Sequence, residues 1–146
     1  MLKPNAQSLV PEINMIHFSN FEKKIKVFFE DKDLLKQSFT HRSYINENGS
    51  AALSHNERLE FLGDAVLELI VTDFIYKKYP NYSEGKLTAL RSALVNAVII
   101  SEVASKIGMN DYLLLSKGEA KDFGKARQYI LANTYEAFIG AMYLDQ

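Results

Sequence analysis

The run His55-Asn56-Glu57-Arg58-Leu59-Glu60-Phe61-Leu62-Gly63-Asp64-Ala65-Val66-Leu67 constrains this chain most, because it sets three carboxylates and a glycine inside an apolar helical pattern. At about 100° per residue a helix gathers Glu57, Glu60 and Asp64 into an arc of roughly 60°. Leu59, Leu62, Val66, Leu69 and Ile70 crowd this acidic stripe and limit its exposure to water. Carboxylates held so close repel one another and call for a counter-cation. Oxygen-only donors suit a hard divalent ion such as magnesium or manganese. An acidic helix face with no ligand satisfies the same spacing.

A second segment weighs against that plainer reading. In Ile130-Leu131-Ala132-Asn133-Thr134-Tyr135-Glu136-Ala137-Phe138-Ile139-Gly140-Ala141-Met142-Tyr143-Leu144, Asn133 and Glu136 stand at i and i+3 among apolar residues. Packed against the first helix, this pair converges with the stripe into one oxygen-lined site.

The 146 residues, 47% hydrophobic and 24% charged, suit a single domain with a proper core. No run approaches the length of a membrane span and the first residues lack the order of a signal peptide, so the expected setting is cytoplasmic with no membrane partner. With no cysteine, any metal must be held by oxygen or by one of three histidines. A net charge of −1 does not by itself point to a polyanion partner.

Taken in order, residues 1–18 carry Pro4 and Pro11 without a sustained period and read as an N-terminal arm, leaving 19–146 as the domain. Asn20 is expected to cap a helix that buries Phe21, Ile25, Phe28 and Phe29. Asp33 is expected to cap the next, which runs into Thr40-His41-Arg42-Ser43-Tyr44, with His41 as a hydrogen-bonded structural residue. Asn46 to Ser50 reads as a turn. Ser54 and Glu57 fit the capping box S-x-x-E, so Glu57 serves either that cap or the site. Gly63 weakens a helix by roughly 1 kcal/mol against alanine, which suggests close approach by another backbone or by substrate. The helix continues to Lys77-Lys78-Tyr79-Pro80, passing Glu68 at the edge of the stripe. Ser83 caps the following helix, Asn96 starts another and Gly108 stops it. Lys117, Lys121, Lys125 and Arg127, spaced by Gly118 and Gly124, suit a mobile basic loop at the rim of a phosphate-binding cleft; an ordinary solvated loop is equally compatible. No strand period persists, so the fold is expected to be all-α.

HNERLEFLGDAVLEL resembles the signature helix of the ribonuclease III family, THRSY at Thr40 to Tyr44 resembles its upstream motif, and ILANTYEAFIGAMYLDQ resembles its second catalytic helix. The resemblance covers roughly residues 25–146. It implies the family's helical endonuclease fold, a symmetric homodimer, and a magnesium-dependent endoribonuclease, manganese substituting, with no organic cofactor. The substrate is double-stranded RNA, cut by a two-metal mechanism to 5′-phosphate and 3′-hydroxyl ends in rRNA and mRNA processing. By position, Glu60, Asp64 and Glu136 are implied as metal ligands, Asn133 as the fourth, and Asp64 and Glu136 as the catalytic residues. Glu57 falls to a supporting or subunit-contact role, and Phe61 to the interface, whereas Leu62 fits the core better. Glu84 and Arg91 resemble cleft-lining positions, although a first-turn acid and a surface base fit them equally. Family members commonly continue into a double-stranded-RNA-binding domain, which is expected to be absent from this chain.

Asn133 departs from the family's usual aspartate. The amide keeps an oxygen donor but removes one negative charge. An active natural variant, an introduced inactivating change and a relative that has lost catalysis all fit. A catalytically silent module that binds double-stranded RNA or the ribosome is therefore the alternative. An all-helical nucleotide pyrophosphohydrolase would also use paired carboxylates, but the long HNERLEFLGD match opposes it. A di-iron bundle would need ExxH motifs, which are absent.

Overall fold

The computed structural model describes residues 17–49 and 52–146; the arm expected over 1–18 lies almost wholly outside them. The described residues form α1 (Phe18–Ile25), α2 (Lys32–Ser38), α3 (Arg42–Asn48), α4 (Glu57–Lys78), α5 (Glu84–Leu94), α6 (Ala97–Lys106), a 3-10 turn (Met109–Tyr112), α7 (Lys117–Lys121) and α8 (Lys125–Asp145). They hold no strand, only a single bridge between Thr40 and Leu114. The all-α expectation is met.

Helix α8 is the hub. Ile130, Leu131, Ala132, Thr134, Ala137, Phe138, Gly140 and Ala141 are all buried along it, so it is enclosed on several sides by α4, α6 and α2. Its closest neighbour is α4. A Cβ on Gly63 would fall inside the Glu136 carbonyl and lie 2.7 Å from the Gly140 amide nitrogen. A Cβ on Gly140 would likewise meet the Leu59 carbonyl and lie 3.0 Å from the Gly63 nitrogen. The two helices thus touch backbone to backbone, which is the close approach the mid-helix Gly63 suggested. In the C-terminal half of α8, Phe138 joins an aromatic cluster with Phe21 (ring centroids 5.6 Å apart) and Phe29 (5.5 Å), and Phe21 meets Phe39 edge-on at 5.1 Å. At its C-terminal end, Asp145 accepts from the Glu30 and Asp31 amides at 3.0 and 2.8 Å, and these bonds hold its carboxyl below the usual range.

Several local signals operate one or two residues from where the sequence puts them. Helix α1 begins at Phe18, so Asn20 lies within it rather than capping it. Asp31, not Asp33, caps α2, accepting from the Asp33 and Leu34 amides at 3.0 Å. Asp31 has the extended backbone that a cap needs ahead of the first turn, and the tertiary chain path decides where that occurs. Thr40 leaves the helix to form the bridge, and α3 occupies much of the expected turn, ending at Gly49 with φ +58°. Ser54 does not cap α4. Its place is taken by Asn56, which is buried and spends its amide on the Ser38 carbonyl at 3.0 Å. Ser83, Asn96 and Gly108 sit where expected, the first two accepting from the Lys86 and Ile99 amides. Among the described residues no single helix is long and apolar enough to cross a membrane; α5 and α6 reach that composition only as a pair bent by 47°.

Replacing Gly63 with alanine should destabilise the fold by about 3 kcal/mol or more, because the new methyl meets backbone rather than a side chain that can turn away. Gly85→Ala, with nothing within 4 Å of its Cβ position, should instead stabilise by up to about 1 kcal/mol. Urea unfolding midpoints of the two variants check both signs.

Candidate active site

The contact at Gly63 positions the acidic side chains. Glu60 precedes the glycine by three residues and Asp64 follows it by one, while the backbone met on α8 is that of Glu136 itself. Glu60 and Glu136 are half-buried and Asp64 is exposed. Burial first, then the Asp64 and Glu60 charges, push the Glu136 carboxyl up to about 7. Burial, followed by Glu57 and Asp64, raises Glu60 in the same way. Four carboxylates on two helices therefore share one electrostatic field. None of the ion pairs among the described residues involves Glu60, Asp64 or Glu136; the one cation at the field's edge is Arg42, on Glu57.

Glu57 differs from the other three. It is exposed in the first turn of α4, with Arg42 Nη1 3.2 Å from one oxygen and His55 Nδ1 3.9 Å from the other. It neither reaches back to Ser54 nor lacks a partner, so it stands at the edge of the cluster. Asn133 is half-buried one turn before Glu136 on α8. The donor chemistry, carboxylates plus one amide oxygen, fits a hard divalent cation. The side-chain positions fit less well, because among the described residues no three acidic or histidine groups converge on a point that would hold an ion. Ion binding at this cluster would require side-chain rotation on a fixed backbone.

The outlying residues separate into distinct groups. Arg91 donates from Nη1 to Thr72 Oγ1 at 3.2 Å and, with Glu84, lines a cavity of about 450 Å³ between α4 and α5. The basic stretch is not a loop throughout. Ser116 caps α7 through the Glu119 amide, and the segment is tied to α3 by the Ser116 amide on Ser43 Oγ (3.0 Å) and the Lys117 amide on Glu47 Oε2 (2.8 Å). Lys117, Lys121 and Lys125 are exposed, but Arg127 is buried with its guanidinium bonded inside the protein, which removes it from the surface set. His41 is a structural residue, its Nδ1 2.8 Å from Ser43 Oγ, and burial lowers its pKa. Gly140 and Arg42 escape sequence reasoning: Gly140 sits in a small-residue stretch with no spacing signal of its own, and the Arg42 contact with Glu57 depends on where α3 lands.

An all-helical domain that collects carboxylates where two long helices cross at glycine defines a narrow class. Residues 31–146 match the Ribonuclease-III-like family, and the chain belongs to it. It is 46% identical over all 146 residues to Ribonuclease 3 of a Geobacillus species, covering 59% of that protein. It is 49% identical over 129 residues to Ribonuclease 3 of Bacillus velezensis, covering 88% of this chain and 52% of that one. The chain thus spans between half and three-fifths of the length of these curated relatives. A solved nuclease domain of ribonuclease III from Campylobacter jejuni, described for flexibility in a region involved in dimer formation, superposes with TM-score 0.79 at 37% identity, covering 88% of this chain and 86% of that one. Dicer from Pichia stipitis superposes at 0.59 with 33% identity, over 80% of this chain and 46% of its own.

A raised carboxyl pKa has a definite consequence for stability. Between its ordinary 4.5 and about 7, folded Glu136 binds more proton than unfolded Glu136, so its contribution is fully present below 4.5 and is lost as pH rises towards about 7. Glu60 acts in the same direction, whereas His41, lowered from 6.5, acts in the opposite one. Metal-free urea midpoints of the parent and Glu136→Gln should therefore diverge with rising pH across this window, the variant gaining relative stability.

Proposed function

We propose that this chain is the nuclease domain of a ribonuclease III that hydrolyses double-stranded RNA to 5′-phosphate and 3′-hydroxyl ends. The carboxylate cluster at the α4–α8 contact carries this reading, because a half-buried acidic field in which Glu60, Asp64 and Glu136 have no ion-pair partner among the described residues suits a divalent ion. Glu60, Asp64 and Glu136 would hold magnesium, or manganese in its place, and Asn133 would offer its amide oxygen as the fourth donor. When bound, a divalent pair supplies the positive charge that an in-line displacement requires at its attacking and leaving oxygens. The chain's own residues fix the geometry. Gly63 and Gly140 hold the two acidic helices in register, and Glu57, paired with Arg42, steadies the first turn of α4.

The proposed assembly is a homodimer in which each copy cuts one strand. Phe61 is 83% exposed beside a cavity of about 700 Å³ that Leu34, Leu62 and Leu144 also line. An aromatic ring so exposed suits a partner copy better than water. A-form RNA would be read by shape and by its 2′-hydroxyls. The targets proposed are ribosomal RNA precursors and structured messages in the cytoplasm. One observation supports a second reading, a module that binds double-stranded RNA without cutting it: the amide at position 133.

Cleavage of a long double-stranded RNA at low salt, titrated with magnesium, separates these readings when the parent is run beside Asn133→Asp, with Glu136→Gln as the blank. The half-saturating magnesium concentration should fall by about tenfold or more in Asn133→Asp, since a unit charge near 4 Å contributes well over 1.4 kcal/mol at an effective dielectric near 20. Binding by both without cleavage would sink the enzyme reading. For the assembly, Phe61→Lys should shift sedimentation from dimer to monomer while leaving the helical circular dichroism unchanged.

A further inference from the structure

Arg127 is 6% exposed, yet among the described residues no carboxylate forms an ion pair with it. A buried guanidinium without a carboxylate is uncommon, since its desolvation is usually offset by an opposite charge. Here its partners are neutral. Nη1 donates to Asn110 Oδ1 at 2.9 Å, Nη2 donates to the Glu119 carbonyl at 2.8 Å, and the Phe123 ring covers the group at 4.9 Å. Its Nε is buried with no hydrogen-bond partner among the described residues. The planar fork joins three pieces of chain that otherwise meet little: the 3-10 turn through Asn110, α7 through Glu119, and the first turn of α8 through its own backbone.

Helix α7 has five residues, too few to stand alone in water. Its N-terminal end is tied to α3 by the Ser43 and Glu47 contacts. The Arg127 bond to the Glu119 carbonyl is the side-chain tie on its C-terminal half, where Lys121 lies and from which the chain leads to Lys125. Lys117 and Lys121 are four residues apart and so share one face of α7 only while that turn stays helical. We propose that Arg127 is a positioning residue: it pins α7 so that Lys117, Lys121 and Lys125 present a fixed row of positive charge to the phosphates of the substrate. The inference rests on the proposed function, because it takes double-stranded RNA as that substrate.

The test compares the full chain with Arg127→Met, which keeps the aliphatic bulk, and Arg127→Lys, which keeps the charge but not the fork. A Lys117→Gln/Lys121→Gln/Lys125→Gln triple variant serves as reference. Binding of double-stranded RNA is measured across salt concentrations, and cleavage is followed in whichever residue-133 background cuts. Both arginine variants should raise KM by about fivefold to tenfold with kcat within about twofold. The slope of log affinity against log salt should flatten by roughly one for each lysine that no longer meets a phosphate. Adding Arg127→Met to the triple variant should flatten it no further. Trypsin should cut after Lys121 and Lys125 sooner in both arginine variants than in the parent, without RNA present. A fall in kcat at constant KM, full function in Arg127→Lys, or an additive slope change would overturn the positioning role. A parent that fails to bind the RNA would sink the function itself, whereas a parent that binds and variants that match it would sink only this inference.

Discussion

Backbone contact between α4 and α8 at Gly63 and Gly140 is the constraint on which the rest of the structure depends. Neither position has room for even a methyl group, so the distance between the two longest helices is set by main chain rather than by side-chain packing. That distance decides the chemistry, because the α8 residue facing Gly63 is Glu136 and the α4 residues flanking the glycine include Glu60 and Asp64. A looser crossing, filled by side chains, would separate the carboxylates and relax the repulsion that raises Glu136 to about 7. The aromatic cluster around Phe138 and the bonds from Asp145 to the α1–α2 link then hold α8 along its length.

Charge is distributed in a way that the net value of −1 conceals. Among the described residues Glu60, Asp64 and Glu136 form no ion pair, while four of the seventeen cations are used structurally. Lys32 meets the buried Glu22, Arg42 meets Glu57, Lys77 meets Asp73, and Arg127 is buried among neutral acceptors. The lysines on and beside α7 depend on a short helix that neighbouring elements hold in place.

Much of the site is legible in the sequence. The Glu60–Asp64 spacing puts both carboxylates on one face, the Asn133–Glu136 pair announces a second oxygen-bearing helix, and a mid-helix glycine indicates a backbone contact. These signals can be read because they depend on helical periodicity and on the absence of a Cβ, both local properties. Caps are less legible. Asp31 rather than Asp33, and Asn56 rather than Ser54, end up on extended or bent backbone because of where Thr40 and Leu114 pair and where Ser38 offers a carbonyl. Arg127 reads as a surface base for the same reason: composition shows a cation among lysines, but only the placement of Asn110 and Glu119 shows that it is enclosed.

What the sequence determined by itself was the family, the all-helical class and the residue types of the acidic cluster, since a pattern of 3.6-residue period with carboxylates and glycine at fixed offsets survives in any helix that forms. The tertiary structure decided which groups feel one another: that Glu136 is half-buried beside two acids, that Glu57 has a basic partner, that the basic stretch begins as a short helix tied to α3 and that Arg127 is internal. Those outcomes depend on contacts between residues far apart in the chain, and long-range contacts are set by how helices pack rather than by the order of their residues.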